Sequence, residues 1–69
     1  MKKHRELPVA PFERVSKNAG AERTSEAALV ELRDAVEDYA EALAKKSAEY
    51  AKHAGRKTIK ADDVRLALK

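Results

Sequence analysis

The stretch HAGRKTIKADD, residues 53–63, combines side chains that could hold an anion. Its cations are Arg56, Lys57 and Lys60, and Thr58 supplies a hydroxyl just before a third helical segment. A second stretch, GAERT at residues 20–24, places Arg23 just before the long central segment. Cations, hydroxyls and the free backbone N–H groups of a helix start are the groups that bind phosphate. Both stretches are therefore candidate phosphate-binding loops.

The same two stretches have a second interpretation, as solvated turns between helices. Basic loops before helix starts are common, and most of them bind nothing specific. On this interpretation Arg23 and Lys57 are solvated cations, and Thr58 only caps the third helix. The loops alone leave both interpretations open.

Other chemistries lack the residues that they need. The chain has no Cys, which removes thiolate nucleophiles and zinc-thiolate sites. His4 and His53 stand near opposite ends of the chain, and neither has a cluster of metal ligands beside it. The acid pairs fall on polar helix faces without an apolar pocket to shift a pKa, and there is no Gly-rich phosphate loop. We therefore expect neither an enzyme nor a bound metal or cofactor.

The charge is unevenly distributed along the 69 residues. Fifteen Lys and Arg outnumber twelve Asp and Glu, for a net charge of +3, which favours polyanions as partners. From residue 26 to residue 52, however, seven acids face only four bases, a local net charge of −3. The positive surplus lies in the first segment and the two loops, at Lys2, Lys3, Arg5, Arg14, Lys17, Arg23, Arg56, Lys57 and Lys60.

Three helical segments must position these groups. The first covers roughly residues 9–19, with Pro11 in its first turn and Gly20 as its C′ residue. The third covers about residues 60–68, with acids in its first turn. The residues expected to face inward are Val9, Phe12, Val15 and Ala19 in the first segment, and Ala61, Val64 and Leu68 in the third.

The second segment covers about residues 25–53, with Thr24 or Ser25 as its N-cap. At 1.5 Å per residue such a helix is about 43 Å long, whereas a domain of this size has a radius of gyration of about 11 Å. Its apolar stripe therefore needs a second chain to cover it. The stripe occupies an arc of about 80° and consists of Leu29, Leu32, Val36, Tyr39, Leu43 and Tyr50.

Neither a membrane span nor a signal peptide is indicated. The longest apolar run falls far short of the roughly 18 residues of a spanning helix. The start MKKHRELP has no apolar stretch of the kind found in signal peptides. We expect a cytoplasmic protein associated with the chromosome.

The order ELPVAPFERVSKNAGAERTS, a long helix and KHAGRKTIKADDVRLALK resembles the archaeal histones over residues 6–69. The resemblance implies an all-α histone fold at residues 7–69, assembled as an intertwined handshake dimer, after a short flexible basic arm at residues 1–6. It also implies that the first loop of one chain lies beside the second loop of the other. The arm, MKKHR, departs from the family pattern, and either touches DNA or stays solvated.

The resemblance further implies roles for the basic residues. Arg23 is the loop arginine that enters the minor groove, steadied by Thr58, while Arg14, Lys17 and Lys57 face phosphates. Insertion of arginines into the inward-facing minor groove is the known behaviour of histone octamers, so this mechanism comes from the family.

Four residues near the second loop receive structural roles from the resemblance. Arg56 and Asp63 correspond to an internal pair that braces the loop against the third helix. Tyr50, His53 and Asp63 fall at the interface between stacked dimers. His53 has the alternative of capping its own helix end, and Tyr50 stands where an aliphatic residue is expected, so it could equally belong to the dimer core.

The sequence thus predicts a protein that binds double-stranded DNA without strong sequence preference. As a homodimer it bends or wraps the duplex and compacts it into nucleosome-like particles. Its partners are DNA, a second copy, stacked dimers and, as a further option, another histone paralogue. The alternative is a histone-fold subunit that pairs with a different histone-fold chain and acts mainly in protein assembly.

Overall fold

A computed structural model describes residues 6–69, which form three helices. Helix α1 is Ala10–Asn18, α2 is Glu26–His53 and α3 is Ala61–Leu68. No strand occurs within residues 6–69. The expected all-α order of short, long and short helix is confirmed, with ends within a residue or so of the predicted ones.

The chain divides into two compact units. The first ends at Glu37 and contains α1 and the first part of α2, and the second is Asp38–Lys69, with the rest of α2 and α3. Lys2, Lys3, His4 and Arg5 lie outside the described residues.

Helix α1 has sequence signals at both ends. Pro11 lies in its first turn, where a missing N–H removes no helical hydrogen bond. At the other end Gly20 has a φ of 113°. Its N–H donates to the Lys17 carbonyl (3.0 Å) and the N–H of Ala21 donates to the Ser16 carbonyl (3.0 Å). This is the Schellman arrangement, which favours glycine because side chains strain at positive φ.

Helix α2 starts and ends by the same rules. The N–H of Ala28 donates to the Ser25 hydroxyl (3.1 Å), so Ser25, rather than Thr24, is the N-cap. The helix ends in a second Schellman motif, in which Gly55 has a φ of 76° and the N–H of Arg56 donates to the Ala51 carbonyl (2.9 Å).

The first unit confirms only part of the expected inner side of α1, since Val9 and Phe12 are half-buried. Val15 is 56% exposed and Ala19 is exposed, whereas Ser16 is buried. The Ser16 hydroxyl donates to the Phe12 carbonyl (2.8 Å), so this small polar side chain is buried without losing its hydrogen bond. Leu29 of α2 is the buried large apolar residue of this unit.

The second unit is built from small residues. Ser47, Ala51 and Ala67 are buried, and the Ser47 hydroxyl donates to the Leu43 carbonyl (2.8 Å). The prediction that Ala61 and Leu68 face inward was wrong, since both are exposed. Helix α3 instead buries the side that carries Asp63 and Ala67. The Asp63 carboxylate is held there by partners in the preceding loop.

Most of the large apolar residues are not covered within one chain. In the stripe of α2, Leu29 is buried and Leu43 is half-buried. The others stay exposed, at 40% for Leu32, 42% for Val36, 63% for Tyr39 and 36% for Tyr50. Among the described residues, no helix is both apolar and long enough to pass through a membrane.

The N-cap of α2 gives a first prediction. Ser25→Ala should lower the free energy of unfolding by about 0.5–2 kcal/mol, because the N–H of Ala28 loses its hydroxyl partner. Urea unfolding followed by circular dichroism at one fixed protein concentration measures this. Thr24→Ala is the matched control and should change stability by less than about 0.5 kcal/mol. Equal losses in both variants would show that Ser25 is not the cap.

Candidate nucleic-acid interface

Helix α1 presents two cations on one side. Arg14 and Lys17 are three residues apart, so they lie on the same face, and both are exposed. Lys17 lies in the last turn, next to the Schellman motif that ends the helix. The guanidinium and the ammonium are therefore available to an anion along this face.

The first loop joins the end of α1 to the start of α2, and Arg23 is exposed within it. The loop is anchored on both sides, by the Schellman bond of Ala21 and by the Ser25 cap. Thr24, between Arg23 and the cap, is half-buried. Arg23 thus stands two residues before the positive end of the α2 dipole, which adds to the attraction for an anion.

An ion pair braces the second loop. Arg56 Nη1 donates to Asp63 Oδ2 (2.9 Å) and Arg56 Nη2 donates to Asp63 Oδ1 (3.1 Å), which is the bidentate geometry of strong guanidinium–carboxylate pairs. Arg56 Nη1 also donates to the Thr58 carbonyl (2.9 Å), and Asp63 Oδ2 accepts the Lys60 backbone N–H (2.8 Å). These bonds join the end of α2, the loop and the start of α3.

The braced loop holds Lys57 and Thr58 toward solvent. Both side chains are exposed, while Arg56 fixes the backbone of this loop through the Thr58 carbonyl and the Asp63 carboxylate. The N-cap of α3 is Lys60, so Thr58 does not cap that helix. A cation and a hydroxyl are thereby presented on a fixed piece of backbone, just before a helix start.

The ion pair shifts the pKa of each partner in the direction that favours the charged form of that side chain. The hydrogen bonds from Arg56, followed by the one from the Lys60 N–H, lower the pKa of Asp63 from 3.8 to about 2, although burial opposes this. The pKa of Arg56 is raised, first by its hydrogen bond to Asp63. The Asp63 carboxylate therefore stays ionised under all physiological conditions.

Tyr50 and His53 lie on the last turns of α2, three residues apart, and both are exposed. Asp63, which was grouped with them as an interface residue, is only 3% exposed, and its oxygens accept bonds from Arg56 and Lys60. Within residues 6–69, no group of three or more His, Asp and Glu side chains is arranged to hold a metal ion.

The predicted site residues fall in both units. Arg14, Lys17 and Arg23 belong to the first, and the residues from Tyr50 to Asp63 belong to the second. Sequence reasoning missed the bond from the Lys60 N–H to Asp63, although an acid three residues after a helix start is a known capping signal. It also missed a clamp on residues 6 and 7, made by Glu37 and Arg33.

Two short helices flanking a long one, with a basic loop before each later helix, define the chain as a histone-fold protein. Comparison with known families agrees: the family of histone-like transcription factors (CBF/NF-Y) and archaeal histones matches residues 5–68. The chain belongs to this family. Its members are histone-like proteins, which places the chain among structural DNA-binding proteins rather than among enzymes.

Two relatives show how close the similarity is. The chain is 56% identical over 64 residues to one of the subunits of the archaeal histone HAN1 of Thermococcus zilligii. It is 53% identical to probable archaeal histone 3 of Methanocaldococcus jannaschii, also over 64 residues. Each match covers 93% of this chain and 96% of the relative, so the similarity extends over nearly the whole length of both.

The ion pair gives a prediction about pH. The pKa of Asp63 is lowered on folding from 3.8 to about 2, so its contribution to stability is complete above about pH 5 and is lost as the pH falls toward about 2. Asp63→Asn mimics the protonated acid and should reduce stability at pH 7. The difference in free energy of unfolding between wild type and this variant should stay constant down to about pH 5. It should then shrink as wild-type Asp63 protonates.

Urea unfolding of both proteins between pH 2 and pH 7 measures this deficit. The control is Asp62→Asn, in the same helical turn, whose side chain is 86% exposed and pairs with Arg65 at the surface. Surface pairs contribute little, so this variant should track the wild type at every pH. A deficit of Asp63→Asn that is independent of pH would refute the assignment.

Proposed function

We propose that the chain binds double-stranded DNA without strong sequence preference and compacts it as a homodimer. The observation that carries this proposal is the second loop, in which the Arg56–Asp63 pair holds exposed Lys57 and Thr58 on a fixed backbone. A preorganised cation and hydroxyl suit a phosphate backbone, since little entropy is lost on binding. Family membership supports DNA as the polyanion.

The homodimer is supported by the uncovered stripe of α2. Exposed Leu32, Val36 and Tyr39 repeat along one side of the helix, as apolar residues do where two helices pack. A single chain of this size leaves them in water, at a cost of about 25 cal/mol for each Å² of apolar surface. A second copy would cover the stripe with its own.

Within such a dimer, the first loop of one chain pairs with the second loop of the other. On this arrangement Arg23 enters the minor groove beside Thr58 of the opposite chain, and Arg14, Lys17 and Lys57 contact phosphates. Residues 7–69 act as one histone-fold domain. Because phosphates carry no base information, binding of this kind tolerates any sequence.

Bending and nucleosome-like compaction require more than one dimer on the DNA. We place Tyr50, His53 and Asp63 at the contact between stacked dimers. The exposure of Tyr50 and His53 on one face of α2 supports this assignment. Asp63, which is buried in its ion pair, contributes by fixing the start of α3. Such particles are associated with the chromosome in the cytoplasm.

A second candidate function is assembly with a different histone-fold chain. It is favoured by the name of the Thermococcus zilligii relative, which designates one subunit of HAN1, and by the histone-like transcription factors in the family. On this proposal the stripe of α2 is covered by a paralogue, and the loops contribute less.

DNA binding is tested with Arg23→Ala/Lys57→Ala. Wild type should bind two duplexes of unrelated sequence equally, with log affinity falling linearly in log salt. The variant removes four cations per dimer, so the slope should flatten by about 2 to 4 and affinity should fall at least about tenfold near 0.1 M salt. Fluorescence anisotropy on both duplexes measures these quantities.

The matched control is Lys45→Ala/Arg65→Ala, which removes the same charges from exposed helical positions outside the loops. It should bind DNA within about twofold of wild type. Equal losses in both variants would mean that only total charge matters. No binding by wild type at low salt, together with heterodimer formation, would favour the assembly function.

The homodimer gives a further prediction. Val36→Glu places a charge in the exposed stripe and should abolish self-association, because an unpaired carboxylate cannot be buried cheaply. Lys45→Glu, at an exposed position on the polar side of α2, is the control and should remain dimeric. Sedimentation equilibrium measures both, and the Tm of wild type should rise with concentration. A monomeric wild type at tens of micromolar would contradict the homodimer.

A further inference from the structure

The segment that leads into α1 is fastened to α2 by the clamp that Glu37 and Arg33 make. Glu37 Oε2 accepts the backbone N–H groups of Glu6 (2.9 Å) and Leu7, and Arg33 Nη1 donates to the Leu7 carbonyl (3.0 Å). Glu37 and Arg33 are four residues apart, so they lie on the same face of α2. Both polar groups of the Leu7 backbone are thus held, one by a carboxylate and the other by a guanidinium.

The link from the clamp to α1 is short and stiff. Only Pro8 and Val9 separate Leu7 from the first residue of the helix, and the ring of Pro8 fixes its φ. The Val9 carbonyl accepts the N–H of Phe12 (2.9 Å), so Val9 already belongs to the first turn. Val9 is also the N-cap, and its apolar side chain cannot bond the free N–H groups of the helix start. The clamp is therefore what fixes the place at which α1 begins.

A second attachment holds the other end of α1, in the same unit of the chain. Gly20 and Ala21 close the Schellman motif there, and the loop leads to Ser25, the N-cap of α2. From Ser25 to Arg33 and Glu37 the axis of α2 rises by about 12 to 18 Å, and the nine residues of α1 span about 14 Å. The two attachments are about one length of α1 apart, so α1 is held at both ends against the first part of α2.

With both ends held, α1 has a fixed rotation about its own axis. Its half-buried Val9 and Phe12 and its buried Ser16 fall within an arc of about 60°, at about 100° per residue. Arg14 and Lys17 are exposed and lie on the other side, centred about 140° away. The attachment of α1 thereby sets the direction in which the guanidinium and the ammonium point.

Helix α1 is too short to hold this position by its own stability. Isolated helices of fewer than about 12 to 15 residues are marginal in water, and α1 has nine residues, of which only Ser16 is buried. Hydrogen bonds in which one partner is ionised are stronger than neutral ones, and the clamp consists of such bonds. The start of α1 therefore depends on Glu37 and Arg33.

We propose that Glu37 and Arg33 are positioning residues for DNA, which hold α1 so that Arg14 and Lys17 meet phosphates. This role rests on the proposed function. Glu37 and Arg33 act through the segment that they bind and not through the duplex, which the Glu37 carboxylate would repel. Without the clamp the first turns of α1 open locally, and Arg14 loses its fixed place.

Amide hydrogen exchange measures the clamp without DNA. In wild type the Leu7 N–H should exchange at least about tenfold more slowly than in an unstructured peptide, because Glu37 accepts it. In Glu37→Ala that protection should be lost, and the amides of α1 should exchange at least about threefold faster. The amides of α3, in the second unit, should keep their rates. An unprotected Leu7 in wild type, or α1 amides that do not respond, overturns the proposal.

The two clamp residues have opposite charges, so DNA binding separates positioning from charge. By charge alone, removal of an acid strengthens binding and removal of a base weakens it. If the clamp positions α1, Glu37→Ala and Arg33→Ala should both weaken binding at least about threefold near 0.1 M salt and flatten the salt slope by about 1 to 3. The controls Glu31→Ala and Lys45→Ala remove the same charges from exposed places on α2. Glu31→Ala should bind at least as tightly as wild type, and Lys45→Ala within about twofold of it.

A change of background separates positioning from a general loss of stability. In Arg14→Ala/Lys17→Ala, α1 has no cation left to position, so Glu37→Ala should act on DNA affinity as Glu31→Ala does. Equal weakening by Glu37→Ala in both backgrounds would overturn the proposal, because it would show that the whole protein is affected. Wild type that binds no DNA overturns the proposed function as well. Wild-type binding, with Glu37→Ala as tight as Glu31→Ala, overturns only the positioning role.

Discussion

The constraint on which the rest of the structure depends is the small amount of apolar surface that one chain can bury. Among the described residues only Leu29, Ala51 and Ala67 form a buried apolar core, and two of these three are alanines. A core of this size contributes little hydrophobic free energy, and folding must still offset the lost conformational entropy of the whole domain. The long apolar stripe of α2 is the remaining source of stability, and it stabilises the fold only when a second chain covers it. In the proposed homodimer, folding and association are therefore coupled.

The ion pair between Arg56 and Asp63 holds the second loop in place of apolar packing. A loop that cannot rely on apolar packing needs another way to hold its shape, and here the bidentate pair, the Thr58 carbonyl and the Lys60 N–H supply it. The pair consumes the charge of Arg56 internally, so this arginine is structural although it stands among DNA-binding candidates. Lys57, one residue further on, is exposed, and the proposed function assigns its charge to a phosphate. Neighbouring cations in one basic loop thus have different surroundings, which a count of charges would miss.

Sequence signals predicted the helices because those signals are local. Gly20, Gly55 and Ser25 stand at helix ends, where a positive φ or a capping hydroxyl is required, and each has that role. The buried sides of α1 and α3 were harder to predict. Large apolar residues such as Val15 and Leu68 were predicted to lie in the core, but they are exposed, and Ser16 and Ala67 are buried instead. A chain that associates can leave such residues exposed. The clamp that Glu37 and Arg33 make on residues 6 and 7 was not predictable, because it joins exposed polar groups 26 to 31 residues apart that follow no periodic pattern.

The separation of charge along the chain determines which surface a polyanion meets. The part of α2 from residue 26 to residue 52 carries a net charge of −3, whereas α1 and the two loops hold the basic surplus. A duplex is repelled by the long helix and attracted to its ends, which orients it before any close contact forms.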